Sequence, residues 1–155
     1  MGHDEIRRLY QQYGSALLGY ARAVLNDHPE AEDVLHEVFL KLVRDKISPN
    51  DPAPYLFRAV RNACLNFRRH DSRNVAITDQ DSWFETTDEN RDLVRSLQIA
   101  IRDVPGDQRE IIIMHIWGEM TFDQIARVLD ISPNTAASRY RYGLTKLRSV
   151  MQPGG

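Results

Sequence analysis

Hydrophobic residues recur every three or four positions through most of the chain, as on the inner face of amphipathic helices. In the first 70 residues this spacing predicts three helices, over about 4–25, 29–44 and 54–69. Turn-forming residues at 26–29 and 48–52 separate them. The predicted inward positions are Ile6, Leu9, Tyr13, Leu17, Tyr20, Val24, Ala31, Val34, Leu35, Val38, Leu42, Leu56, Ala59, Val60, Ala63 and Phe67. The N-terminal part is therefore predicted to be a small helical bundle.

Helical spacing stops at residue 71 and resumes at residue 93. One helix is expected before the Pro-Gly pair at 105–106, and another from an N-cap at Asp107 to Trp117, closed by Gly118. The apolar run 111–114 could by itself form a strand, but its helical neighbours favour a helix. The whole chain is predicted to be all-α.

The segment that begins at Thr121 has the features of a helix-turn-helix. Thr121 suits the cap of a short helix, Asp130 and Ile131 suit a tight turn, and Ser132 with Pro133 suits the start of a second helix. The positions expected to face outward on that second helix are Asn134, Thr135, Ser138, Arg141 and Tyr142. Short polar side chains near a helix N-terminus, followed by arginines, suit entry into the major groove of DNA. The alternative is an ordinary packed pair of helices with a solvated basic face.

Charge is distributed unevenly, although the net charge is only −2. Residues 54–70 contain four arginines and no acidic residue, and residues 131–155 contain four basic residues and no acidic one. Residues 71–90 contain six acidic residues against one arginine and lack helical periodicity, so we expect a flexible acidic linker there. The prediction is an N-terminal bundle at 1–70 and a C-terminal four-helix module at 91–155, joined by that linker.

The composition and the absence of certain motifs argue against a membrane protein, a secreted protein and an enzyme. The longest apolar run is four residues, far below the roughly 20 needed to cross a membrane, so no membrane insertion is expected. The N-terminus has no signal core, which predicts a cytoplasmic protein. The single cysteine, Cys64, lies in an apolar stripe, which favours core packing over a redox role. No phosphate loop, nucleophile–base pair or metal-ligand spacing is present, so we expect no enzyme activity, metal or cofactor.

Three blocks of the chain resemble the extracytoplasmic-function (group IV) sigma factors of bacterial RNA polymerase. They are AEDVLHEVFLKL at 31–42, YLFRAVRNACLNFRR at 55–69, and the stretch 97–148, which contains the helix-turn-helix. Their order and spacing resemble the minimal two-domain members, with a sigma-two module at 1–70 and a sigma-four module at 91–155. The resemblance implies a transcription initiation factor that binds core polymerase, directs it to promoters and helps to melt the minus-ten region. The alternative is a stand-alone homodimeric helix-turn-helix repressor, which would leave Asp33 and the basic 58–69 face without a role.

The resemblance also implies how the protein meets polymerase. The acidic second helix would dock on the clamp helices of the beta-prime subunit through Asp33, His36 and Glu37, with His36 where the family usually has glutamine. Residues 144–150 would meet the beta flap. Asp33 and His36 could instead form half of a metal site, but the second Glu-x-x-His that a bundle site needs is missing. A merely solvated helix face is the other alternative, and an anti-sigma partner is left open.

The implied promoter contacts fall on two helices. On the third helix, Arg58, Arg61, Arg68 and Arg69 would follow the phosphates of the opened minus-ten strand, while Asn62, with Asn66 as a second candidate, would read a base. Tyr55 would offer an aromatic face, with core packing as an equal alternative, and the loop 45–54 is expected to complete the base pocket. The minus-thirty-five contacts would be Asn134, Thr135, Ser138, Arg139, Arg141 and Tyr142. The linker would either enter the RNA exit path as an RNA mimic or serve as a soluble tether.

Overall fold

The computed structural model describes residues 3–70, 96 and 99–151, and every regular element among them is helical. These residues belong to two compact units, one up to residue 83 and the other from residue 84 onwards. The helices are α1 (His3–Leu25), α2 (His28–Arg44), α3 (Pro52–His70), α4 (Gly106–Ile116), α5 (Phe122–Leu129) and α6 (Pro133–Met151). The all-α prediction is confirmed. The predicted linker at 71–90 lies outside the described residues.

The first unit is a bundle in which α1, α2 and α3 all contact one another. Its largest fully buried side chains include Leu17, Tyr20, Leu42, Leu56 and Phe57. The rings of Tyr20 and Phe57 meet edge to face with centroids 5.7 Å apart, which joins α1 to α3. Large aromatic rings gain most from leaving water, so these contacts anchor the small core.

The inner face of α3 differs from the predicted stripe. Phe57 and Cys64 are fully buried beside Leu56 and Val60, whereas the predicted Ala59, Ala63 and Phe67 are only half-buried. The burial of Cys64 supports core packing for this side chain. A ring buries more apolar surface than a methyl group, so the helix turns Phe57 inward and leaves the alanines at the edge of the bundle.

The ends of the helices show which capping predictions hold. Asp27, which the sequence analysis placed only in a turn, caps α2, since its Oδ1 accepts a hydrogen bond from the Glu30 amide at 2.9 Å. The N-cap prediction at Asp107 is wrong, because Pro105 occupies the N-cap of α4 without a side-chain hydrogen bond. Asp107 lies instead in the first turn of α4, where its negative charge interacts favourably with the helix dipole and stabilises the helix.

The second unit packs α4, α5 and α6 against one another. All four residues of the run Ile111–Met114 are buried within α4, together with Ile101 and Val104 from the preceding segment. The run is helical, which excludes the strand alternative. Its four consecutive apolar residues are explained by the burial of one whole turn of this helix. Among the described residues, no helix is long and apolar enough to span a membrane.

Candidate functional site

A groove of about 400 Å³ lies between α2 and α3 in the first unit. Its lining residues are Glu37, Val38, Lys41, Arg44, Tyr55, Arg58, Ala59, Asn62, Ala63 and Asn66. The two half-buried alanines contribute to it because their methyl groups leave open the space that larger side chains would fill. Ala59 and Ala63, which were predicted to face the core, therefore lie at the groove instead.

The groove brings together four of the residues predicted to contact the minus-ten strand. Arg58, Asn62 and Asn66 are exposed and follow one another at intervals of four along α3, while Tyr55 is half-buried at the beginning of the row. Arg61 is half-buried and is not among the lining residues. The side chains of Arg68 and Arg69 lie outside the described residues.

Two features of this groove differ from expectation or were missed. The loop 45–54, expected to complete a base pocket, contributes none of the lining residues. Lys41 and Arg44 of α2 do contribute, although the sequence interpretation assigned them no role. The signal was present in their spacing, because positions 37, 41 and 44 follow the i, i+4, i+7 pattern of one helix face.

The outward surface of α2 carries the predicted polymerase contacts. Asp33, His36 and Glu37 are all exposed, and Glu37 also borders the groove. Leu40, at 61% exposure, extends this acidic surface with an apolar side chain. In the described part of the chain, no three His, Cys, Asp or Glu side chains group as metal ligands would.

The helix-turn-helix of the second unit consists of α5, a short turn and α6. A capping box begins α5: the Gln124 amide donates to Thr121 Oγ1 at 3.1 Å, and the Thr121 amide donates to Gln124 Oε1 at 2.9 Å. Asp130 ends the helix in a left-handed conformation, with φ of 58°. Ser132 then caps α6 by accepting from the Thr135 amide at 3.1 Å. The predicted turn chemistry is confirmed.

The residues predicted to contact the minus-thirty-five element fall into two groups on α6. Asn134, Arg141 and Tyr142 are exposed as expected, with Tyr142 at 68%. Thr135 and Ser138 are half-buried, which differs from the expected exposure. Thr135 Oγ1 accepts from Ser132 at 2.9 Å, and Ser138 accepts from Arg141 Nη2 at 3.2 Å.

Arg139 of α6 is turned towards α4. Its Nε lies 3.7 Å from Asp107 Oδ2, and the two side chains are 36% and 55% exposed. An ion pair this exposed contributes little to stability, so the guanidinium is held only weakly by Asp107.

A cluster of rings that sequence reasoning missed joins α6 to α4 and α5. His115 of α4 stacks on Phe122 of α5 and meets Tyr140 of α6 edge-on, each with centroids 4.7 Å apart. The His115 Nδ1–H donates to the Met120 carbonyl at 2.8 Å. No local pattern could have indicated this cluster, because its members come from three helices that meet only in the folded unit.

Comparisons with known proteins identify the family. The model for Sigma-70 region 2 matches residues 9–74, and that for Sigma-70, region 4 matches residues 95–147. The ECF RNA polymerase sigma factor SigL of Mycobacterium tuberculosis is 31% identical over 97% of this chain and 90% of its own length. The chain belongs to the extracytoplasmic-function sigma factors. It is a transcription initiation factor, and the repressor alternative is not favoured, because the region 2 match covers the bundle that a repressor would leave unexplained.

Further similarities agree with this membership. The sigma factor is 24% identical to CarQ of Myxococcus xanthus over 96% of its chain and 90% of that relative. Its fold matches RpoE from Bartonella quintana, solved in complex with the anti-sigma factor NepR, with a TM-score of 0.75 at 18% identity, covering 99% of this chain and 100% of RpoE. It also matches CnrH, solved with the cytosolic domain of CnrY, with a TM-score of 0.69 at 20% identity, covering 99% and 92%.

Proposed function

We propose that this sigma factor binds core RNA polymerase through α2, holds the opened minus-ten strand on α3 and reads the minus-thirty-five element with α6. The observation that carries the proposal is the groove, where Tyr55, Arg58, Asn62 and Asn66 lie together beside the acidic surface of α2. A site for one unstacked base next to a protein-binding surface suits a factor that opens DNA while bound to polymerase.

The polymerase contact is assigned to the exposed acidic surface of α2. Asp33 and Glu37 lie one turn apart, so both can form charge-assisted hydrogen bonds with arginines of the beta-prime clamp helices. His36 lies between them and is exposed on the same helix. At the other end of the chain, Lys146 and Arg148 are exposed on α6, which supports residues 144–150 as the contact to the beta flap.

The minus-ten contact is assigned to the groove and the basic face of α3. A base rotated out of its stack can lie against the Tyr55 ring while the Asn62 amide pairs with its edge, with Asn66 as a second reader. Arg58 then binds a phosphate of the same strand, and Arg61, Arg68 and Arg69 follow the backbone further along.

The minus-thirty-five contact is assigned to α6. Asn134, Thr135 and Ser138 lie in its first two turns, the part of a recognition helix that reaches base edges. Arg141 and Tyr142 lie beyond them on exposed positions, and Arg139 joins them when it leaves Asp107. Short polar groups thus read bases while the guanidinium groups bind phosphates.

The domain organisation follows from these assignments. Residues 1–70 form the sigma-two module, residues 91–155 the sigma-four module and residues 71–90 the acidic linker, supported by the two separate family matches. The factor acts where transcription takes place, in the cytoplasm. An anti-sigma protein is a further expected partner, as in the complexes of RpoE with NepR and CnrH with CnrY.

Promoter binding measured with and without core polymerase tests this function. The free protein should bind promoter duplex weakly, since its net charge is −2 and each basic face neutralises few phosphates. Adding core polymerase should produce specific, salt-sensitive binding and run-off transcripts from genomic promoter fragments. Nanomolar sequence-specific binding by the free protein at physiological salt would contradict the proposal.

A further inference from the structure

The α2 wall of the groove is basic where the outward surface of the same helix is acidic. Lys41 and Arg44 line the groove and are exposed, and they face the α3 wall that carries Arg58. The groove thus has three cationic side chains against one carboxylate, Glu37. This excess of positive charge attracts an anionic ligand, and it comes from two helices.

Arg44 is free to turn towards such a ligand. Among the described residues, its side chain contacts Asp45, with the Arg44 Nε 3.4 Å from Asp45 Oδ1, and it is 71% exposed. An ion pair this long and exposed is worth little, so a phosphate can replace Asp45 at low cost. Lys41 lies one turn earlier on α2, on the same side as Arg44.

The remaining lining residues indicate which kind of anion fits. Val38, Ala59 and Ala63 offer an apolar floor that can accept the flat face of a base. Asn62 and Asn66 provide amides for its edge, and Tyr55 provides a ring for stacking. The carboxylates of an acidic peptide would pair with the cationic side chains but would not cover the apolar floor. A nucleotide within a single strand contacts all three kinds of group: its phosphate binds the cations, its base edge binds the amides, and its base face lies on the apolar floor and the ring.

We propose that Lys41 and Arg44 bind phosphates of the single DNA strand whose base enters this groove, so that the strand is held from both walls. The proposal rests on the minus-ten function assigned above to α3 and adds a second set of contacts from α2. It gives α2 two functions on adjacent faces, polymerase binding through Asp33 and strand binding through Lys41 and Arg44.

The test compares two charge-matched double variants in the assembled holoenzyme. Lys41→Gln with Arg44→Gln removes the groove cations while keeping two long side chains. Arg7→Gln with Arg8→Gln removes two exposed cations from α1 that do not line the groove. The probe is a short fluorescent single-stranded DNA of mixed sequence, because phosphate contacts do not depend on sequence. Affinity is measured over a series of salt concentrations.

We expect the groove variant to bind the strand several-fold more weakly at physiological salt. The plot of log affinity against log salt has a negative slope, and the magnitude of this slope should decrease by about 1.4, or about 0.7 for each lost phosphate contact. The α1 variant should keep the wild-type slope, and Arg58→Gln, the positive control, should reduce its magnitude by about 0.7. Binding to a duplex that carries only the upstream element should be unchanged in all of them.

Two results would overturn the proposal. One is a groove variant with the same salt slope as the α1 variant. The other is a groove variant that binds the strand normally but assembles poorly with core polymerase, which would assign these cations to an acidic protein partner. Failure of the proposed function is recognised separately, because the wild-type protein would then show no polymerase-dependent promoter binding.

Discussion

Asp33 and Glu37 lie one turn apart on α2, and both carboxylates are exposed. The buried face of this helix is formed instead by Ala31, Val34, Leu35, Val38, Phe39 and Leu42. Because stability comes from the apolar face, the charges on the opposite face can be changed with little effect on folding. Single residues can therefore be assigned to binding without disturbing the bundle.

Reversal of these charges tests the polymerase contact. Asp33→Lys combined with Glu37→Lys should weaken association with core polymerase by several kcal/mol, because like charges would then meet across the interface. Thermal unfolding should be nearly unchanged. Titration of fluorescent core polymerase measures the effect, with Asp103→Lys, an exposed carboxylate of the other unit, as the control. Wild-type affinity in the folded double variant would remove the assignment.

At the scale of elements, two helices of the second unit approach closely at a glycine. A Cβ placed at Gly143 of α6 would lie 2.8 Å from Ile112 Cδ1 and 3.2 Å from Gln108 Cβ of α4. Ile112 is fully buried, so it has little room to move aside. Gly14 in α1 differs, because a Cβ there would lie 3.6 Å from the Tyr10 ring, an ordinary contact.

Alanine at the two glycines should therefore have opposite effects. Gly14→Ala should stabilise the protein by about 0.5–1 kcal/mol, the usual gain of replacing a glycine within a helix. Gly143→Ala should destabilise the second unit, because overpacking costs about 1–3 kcal/mol and exceeds that gain. Urea unfolding followed by circular dichroism measures both.

The Ile112→Val background provides the control for Gly143. Valine lacks the Cδ1 atom nearest to the new methyl group, so the cost of Gly143→Ala should shrink when both changes are combined. An equal cost in both backgrounds would show that the close approach to Ile112 is not the cause.

At the scale of the whole molecule, the candidate contacts to DNA are divided between two units. Asn62 lies on α3 of the first unit and Arg141 on α6 of the second, and each unit has its own buried core. Since sites with no shared partners behave independently, a change in one unit should leave the function of the other intact.

This division predicts two separable defects. Ser138→Ala should lower selectivity for the upstream element by about 1–3 kcal/mol, the value of a lost base contact, and Arg141→Ala should weaken upstream binding uniformly across sequences. Both variants should spare melting on a pre-opened template. Asn62→Ala should impair strand opening and leave upstream recognition intact. Permanganate reactivity of unpaired thymines measures opening, and binding to a duplex with only the upstream element measures recognition. Equal impairment of both activities by Asn62→Ala and by either α6 variant would contradict the division.

Much of the fold could be predicted from the sequence because its causes are local. Neighbours within a few positions determine the apolar stripe of α2, the caps at Thr121 and Ser132 and the turn at Asp130. The cap at Asp27 is just as local, although the sequence analysis did not assign it. The same holds for the exposed charges of α2, since an amphipathic pattern already separates the two faces of a helix.

Only the tertiary structure decided how separate segments meet. The groove needs both α2 and α3, so the contribution of Lys41 and Arg44 became evident only when those helices were packed side by side. The cluster of His115, Phe122 and Tyr140 and the pairing of Arg139 with Asp107 likewise join residues from different helices. Helical periodicity specifies which face of an element is apolar. Which neighbour that face meets, and which polar residues share the edge of the contact, depends on the packing of the whole unit.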